Sequence, residues 1–372
     1  MGTIVYSVNG EGRGHATRVQ AIIEELIPEH RFVLLASQDA YEHFRTEYQD
    51  HPFVTVSPIP GLRFKYHRGK LCYLRSVLAA APFLWNLSSA VRSVERVLLR
   101  VQPDLAITDF EPLLPRAAER CQVPWLSLDH QHFLSVSDFR GLPAHLRWQS
   151  RFLRCSIGMF YRGQKGEAVS SFAHLPARKG REAVERIGVL IRRKIRSMKT
   201  QTSNAGHLLV YVRGDAPNHF WNSLSKIQKP IYVFGKCLPP VLPNVEFFGI
   251  QNDKFIRHLA TCDALITTAG NQLVGEAFYL GKPVLAIPER GNFEQGVNGW
   301  LVSQSQGGWS MPFDQITPHV LSQFLLSLPL LRTRIAGLEW SGNEQAKSFI
   351  EMHLPKTKQE VDSQDLTFQN VA

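Results

Sequence analysis

Near the start of the 372-residue chain, the stretch SVNGEGRGHATRVQAI sets Gly10, Gly12 and Gly14 immediately before His15. Glycine accepts positive φ and lets another group approach the backbone closely. Imidazole titrates near neutral pH and can take a proton from a hydroxyl. A dinucleotide fingerprint would place glycine where His15 stands, which argues against a nicotinamide cofactor. Gly12 and Gly14 are therefore read as making room for an acceptor substrate, and His15 as the base that deprotonates it. The alternative is a histidine that packs or caps.

Two further stretches end strands in polar residues. LAITDFEP closes on Asp109. If its strand lies beside the first one, Asp109 meets His15 and a carboxylate on one ring nitrogen holds the tautomer and orientation of the other. Its other reading is the N-cap of the helix that follows. SLDHQH brings Asp129, His130 and His132 to a strand end. The spacing matches no strong metal motif, so Asp129 and His130 are assigned to acceptor hydroxyls and no metal is expected.

The stretch ITTAGNQLVGEAFYLGKPVLAIPERGNFEQGVNG, residues 266–299, carries a second kind of chemistry. A strand ends at Gly270 and Asn271, where a helix begins, and a helix N-terminus attracts anions. Glu276 lies inside that helix, suited to accept from the two hydroxyls of a ribose rather than to face a phosphate. Gln295 and Asn298 offer amides to neutral sugar hydroxyls.

The elements needed to position these residues alternate. TIVYSV, RFVLLAS, FVTVSPIP, DLAITDF, PWLSLDH and AVSSF read as strands with helices between them. After the polar, aperiodic stretch KTQTSNAGH the alternation restarts with HLLVYV, PIYVFG, VEFFG, ALITTAG and PVLAIP. The fold class is α/β, with two Rossmann-like doubly wound domains facing across a cleft, spanning 1–198 and 206–334. Residues 356–372 read as a polar, disordered tail. The apolar stretch 71–101 is expected to be broken or kinked by Pro82. It either packs as the domain's own helices or lies on an anionic membrane surface with the basic patch RFKYHRGK beside it.

Composition bounds the partners. A 44% hydrophobic and 20% charged chain suits a protein with real cores, and a net charge of +10 suits an anionic partner. No nucleic-acid motif accompanies the basic clusters, and nucleic acid is not expected. The basic run at 178–199 reads as a solvated helix face. Five scattered cysteines without a metal spacing read as packed thiols in a reducing compartment. No apolar run reaches the roughly 18 residues of a membrane span. The chain opens straight into a strand, so no secretory leader is expected and a cytoplasmic location is, with a peripheral position on the inner membrane face as an option.

The combination GEGRGHATR, TDFEP, DHQH and TTAGNQLVGEAFYLGKP resembles the MurG-like glycosyltransferases of GT-B fold over roughly residues 3–300. His15 stands at the family's histidine position. Gly270, Glu276, the GKP at 281–283, Glu294, Gln295 and Asn298 match its donor-binding segment. The resemblance implies a metal-independent transferase that moves a sugar from a nucleotide-diphosphate sugar, a UDP-sugar foremost, to a hydroxyl acceptor; a lipid-linked acceptor is the option that goes with the membrane reading of 71–101. It implies a C-terminal helix near 335–354 crossing back to the first domain. The chain departs from the family at YVRGDAPN, where Arg213 and Gly214 are assigned to the diphosphate. Competing expectations are a UDP-sugar epimerase of the same build, a non-catalytic nucleotide-sugar-binding protein and, weakest, a dehydrogenase.

Overall fold

The computed structural model describes residues 1–62, 65–67, 70–158, 163–213 and 215–355. Gly214, the 356–372 tail and Arg63, Phe64, Arg68 and Gly69 of the first basic patch lie outside the described residues.

The first sheet holds seven strands: β1 (Thr3–Val8), β2 (Arg31–Ala36), β3 (Val54–Pro58), β6 (Leu105–Asp109), β7 (Trp125–Asp129), β8 (Gly166–Ser170) and β9 (Glu185–Ile187). A small hairpin, β4 (Tyr66–His67) with β5 (Lys70–Leu71), stands outside it. The sheet order is β3-β2-β1-β6-β7-β8-β9, and every neighbour pair is parallel. Continuous apolar runs explain this, because helices cover both faces of a parallel sheet. Ile4, Val5, Tyr6 and Val8 of β1 are all fully buried.

The second sheet contains β10 (Leu208–Tyr211), β11 (Ile231–Phe234), β12 (Val245–Gly249), β13 (Ala264–Thr267), β14 (Val284–Ala286) and β15 (Gly308–Ser310). Its order is β12-β11-β10-β13-β14-β15, again parallel throughout. Order reverses beside β1 in one sheet and beside β10 in the other. Ligands of open α/β sheets bind at such switch points, beyond the C-terminal strand ends.

The helix Arg13–Leu26 buries Val19, Ile22, Ile23 and Leu26 along one stripe. It stops there because Ile27 precedes Pro28 and is extended, as residues before proline prefer to be. The long helix Pro318–Ala336 packs Leu321, Phe324 and Leu328 into the second core. The chain then turns, and the separate helix Asn343–Glu351 seats Ala346, Phe349 and Ile350 in the first core.

Two local expectations change. Pro82 does not end its helix: Tyr73–Trp85 runs through it, and a second helix, Leu87–Val101, starts after Asn86. The second helix buries Val91, Val94 and Leu98, while the first leaves Leu84 and Trp85 exposed. The basic run is not a solvated helix. It contains β9, a buried segment at 189–191 and only a short helix, Arg193–Ser197. Its cations meet carboxylates, with Arg181 on Glu167, Arg192 on Glu276 and Arg196 on Glu25.

Candidate active site

A cleft of about 1200 Å³ lies between the C-terminal edges of the two sheets. Gly12, at φ +79°, delivers the chain from β1 into the helix Arg13–Leu26, a backbone geometry that strains any residue with a Cβ. Gly14 faces the second domain, where a Cβ would stand 3.8 Å from Gln272 Cβ. His15 then lies in the first turn at the cleft wall.

Strand β6 pairs directly with β1, with Asp109 opposite Val8. This register brings Asp109 Oδ1 to 2.7 Å from His15 Nδ1. An ionised carboxylate only accepts, so Nδ1 carries the proton and Nε2 bears the lone pair. Asp109 is fully buried and is also gripped by Arg18, whose Nε and Nη2 donate to its two oxygens at 2.8 and 2.7 Å. Burial pulls the Arg18 pKa down, yet Asp109's charge and hydrogen bonds outweigh it and raise it above the ordinary value. Asp109 is not the N-cap that was its alternative reading. Phe110 turns the chain at φ +52°, and Glu111 accepts from the amides of Leu113 and Leu114 at 2.8 and 3.0 Å instead.

The DHQH stretch is corrected. Asp129 is fully buried and accepts from His132, both from its backbone amide at 2.8 Å and from Nδ1 at 2.7 Å. Burial raises the Asp129 pKa, and His132's charge and hydrogen bonds more than reverse this, holding it low. His130 is also fully buried, between the Ser170 carbonyl and Asn298 Oδ1, each 3.1 Å away. Neither lines the cleft, and both are engaged by protein partners behind its wall. The residue that does line it is Gln131, which donates to Glu294 Oε2 across the domains at 3.1 Å. Among the described residues, one His and carboxylate grouping has ligand-like spacing, Glu29, His30 and Glu351. It lies outside the cleft lining.

On the second wall, the helix Asn271–Tyr279 begins at Gly270 without a side-chain cap. Gly270, Asn271, Gln272 and Leu273 line the cleft. The first amides of a helix lack intrahelical partners, so this end is ready for an anion. The Asn271 side chain itself points the other way: its Oδ1 accepts from Phe172 N at 3.1 Å and its Nδ2 donates to Ser170 O at 3.2 Å. Glu276 lines the cleft but is held by Arg192, whose Nε and Nη2 donate to its two oxygens at 2.9 Å each. Burial lowers the Arg192 pKa and Glu276's charge and hydrogen bonds reverse it, so the net shift is upward.

Gln295 lines the cleft, yet its amide is engaged by Glu289, through Glu289 N at 2.8 Å and Oε2 at 2.9 Å. Burial holds the Glu289 carboxyl above its ordinary pKa. Asn298 does not reach the cleft at all. It is fully buried, with Oδ1 3.1 Å from His130 Nε2 and Nδ2 donating to Ala269 O at 3.0 Å. Arg213 reaches across to Glu11 Oε1 at 3.0 Å.

Sequence reasoning missed Arg18, Gln131, Arg192 and Glu11. Arg18 had a signal, since it follows His15 by three residues and shares its helix face. Gln131 carries no signal that sets it apart from its neighbours Asp129, His130 and His132. Arg192 had none, being one cation in a basic run.

The family model described as Glycosyl transferase family 1 matches residues 2–329, and the chain belongs to that family. No curated protein is significantly similar in sequence. Among solved structures, the chain is similar to the glycotransferase of kitacinnamycin, at 18% identity and a TM-score of 0.65 over 95% of this chain and 99% of that one. It is similar to MurG of Acinetobacter baumannii, at 14% identity and a TM-score of 0.60 over 95% and 100%. It is similar as well to a UDP-glucosyltransferase from Polygonum tinctorium, at 12% identity and a TM-score of 0.68 over 95% and 98%. The two facing sheets are the GT-B architecture, and the protein is a glycosyltransferase. Among the described residues, no helix is long and apolar enough to cross a membrane.

Proposed function

We propose that this glycosyltransferase moves a sugar from a nucleotide-diphosphate sugar, a UDP-sugar foremost, to an acceptor hydroxyl, with inversion and without a metal ion. The observation that carries the reading is His15, buttressed through Nδ1 by an Asp109 that Arg18 fixes in turn, with Nε2 left for substrate in the wall of the cleft.

In this reading the acceptor oxygen gives its proton to His15 Nε2 and attacks the anomeric carbon. The bond from that carbon to the diphosphate breaks, and the leaving group keeps the electron pair. Attack opposite the leaving group inverts the centre. The growing charge on the diphosphate is met by the first-turn amides from Asn271 onward, since Gly270 N already donates to Thr268 O at 2.7 Å, and by Arg213, doing a metal ion's work. Glu276 takes a ribose hydroxyl through Oε2, which keeps a lone pair beyond its bond to Arg192, while Oε1 accepts from both Arg192 and Gln272. Glu294, partly exposed in the cleft, takes a hydroxyl of the transferred sugar. The exposed Leu84 and Trp85 suit a lipid-linked acceptor at a membrane surface.

A thermal-shift panel of UDP, GDP, dTDP and CMP, each with and without EDTA, tests the donor half. The expected result is a concentration-dependent rise in Tm with UDP that EDTA does not alter. A rise that EDTA abolishes overturns metal independence, and no rise with any nucleotide overturns the donor site. Incubation with a UDP-sugar then separates transfer from epimerisation by product: a glycoside, or a free epimerised sugar.

A further inference from the structure

Arg213 does not approach the cleft alone. Its guanidinium lies on the carboxylate of Glu11, at 3.0 Å, and against Gly12, where a Cβ would meet the guanidinium carbon at 3.4 Å. Arg213 also stands close enough to the buried Glu289 for their charges to interact, and Glu11 lies near the same carboxylate. One cation thus faces two carboxylates where the reading above brings a diphosphate.

The backbone that carries Glu11 has little freedom to withdraw. A Cβ on Gly10 would fall 2.3 Å from Ser37 O, so that glycine is clamped against the loop after β2. Glu11 N donates to Asn9 Oδ1 at 3.0 Å. The Glu11 side chain, with its rotatable torsions, is the part that can leave. A parallel pair spans the cleft further out, with Lys236 of the second domain 3.3 Å from Asp39 of the first.

We propose that Glu11 is an internal competitor for Arg213: it holds the guanidinium until a diphosphate displaces it and returns to Arg213 as the nucleoside diphosphate leaves. This rests on the reading that Arg213 receives the diphosphate. Any ligand that takes Arg213 must first break the pair, whereas a ligand that ignores Arg213 does not. Glu11 therefore lowers affinity for diphosphates selectively and speeds product release. A partly exposed ion pair contributes about 0.2–1 kcal/mol, which corresponds to roughly 1.4- to 5-fold in affinity.

The test measures binding of UDP, inorganic pyrophosphate and uridine by calorimetry to the wild type, Glu11→Gln and Arg213→Ala. The expected result for Glu11→Gln is UDP and pyrophosphate bound up to about 5-fold tighter, with uridine unchanged. Weaker or unchanged diphosphate binding in Glu11→Gln, alongside a loss in Arg213→Ala, overturns the competitor role and leaves the diphosphate reading standing. Unchanged diphosphate binding in Arg213→Ala, or none by the wild type, overturns both. A uridine affinity that moves as much as UDP also overturns the proposal, because it places the effect outside the phosphate site.

Discussion

Behind the cleft wall, His130 has a protein oxygen 3.1 Å from each ring nitrogen, Ser170 O and Asn298 Oδ1. At the lip, His15 has Asp109 on one nitrogen and lines the cleft. The side chains of Asn271 and Asn298 are likewise closed off between the domains, and Arg192, in the segment after β9, ties Glu276. The pairs at the lip, Glu11 with Arg213 and Asp39 with Lys236, are more exposed and join the two domains by direct ion pairs. The two regions use the same residue types. A buried group satisfied on every side by protein fixes how the domains sit, and a group with one side satisfied is free to act on a ligand.

Substitutions on the two sides should therefore fail in different measurements. The largest effect is expected from His15→Ala. Loss of a positioned general base lowers turnover by about 10²–10⁴-fold. Donor affinity and Tm should hold, and steady-state transfer assays beside a thermal melt check both. A His15→Ala protein that transfers at the wild-type rate would remove the lip from the chemistry. Next is Arg192→Ala, which leaves Glu276 buried with its charge unpaired. Breaking a buried pair from one side costs about 3–5 kcal/mol, so chemical denaturation should show a large loss of stability. If instead Arg192→Ala is as stable as the wild type, Glu276 is less enclosed than its contacts imply.

Asn298→Ala sits on the buried side and should cost less. It leaves His130 Nε2 and Ala269 O each short of a partner, and an unsatisfied buried group costs about 1–3 kcal/mol. Stability should fall, while any change in kcat should stay small beside that of His15→Ala. A large fall in kcat at unchanged Tm would instead show that Asn298 reaches substrate, as its place in the sequence motif implied.

The contrast between seam and lip also explains what the sequence could and could not reveal. The alternation of apolar strands and amphipathic helices made both sheets legible, because burial on two faces leaves a local signature in β1 and β13. His15 and Asp109 were legible together because a glycine turn and a strand end are both local features, and adjacent strands bring them into register. His130 and Asn298 were illegible for the converse reason, since their partners at Ser170 and Ala269 are 40 and 29 positions away. Asp129 has its partner, His132, only three residues on, yet nothing local separates a polar side chain aimed into the seam from one aimed into the cleft. Arg192 shows the same limit, since its partner is 84 positions away in the chain.

A third histidine sharpens the comparison at smaller scale. His43 lines the cleft wall, but its Nε2 donates to Gln20 Oε1 at 2.9 Å, so it belongs with the satisfied groups. Burial first, then the charges of Arg13 and Arg192, pull its pKa from 6.5 down to about 4. The folded protein therefore keeps His43 neutral over a range where the unfolded chain takes up a proton. Its contribution to stability is whole above about pH 6.5 and is lost as pH falls toward 4. By pH 5.5 the linkage removes about 1 kcal/mol. His43→Gln cannot take up that proton, so its stability should fall less steeply between pH 6.5 and 4 than the wild type's, measured as denaturation midpoints across that range. Parallel curves for the two proteins would mean that His43 titrates alike folded and unfolded, and would move it from the buried side of the comparison to the open lip.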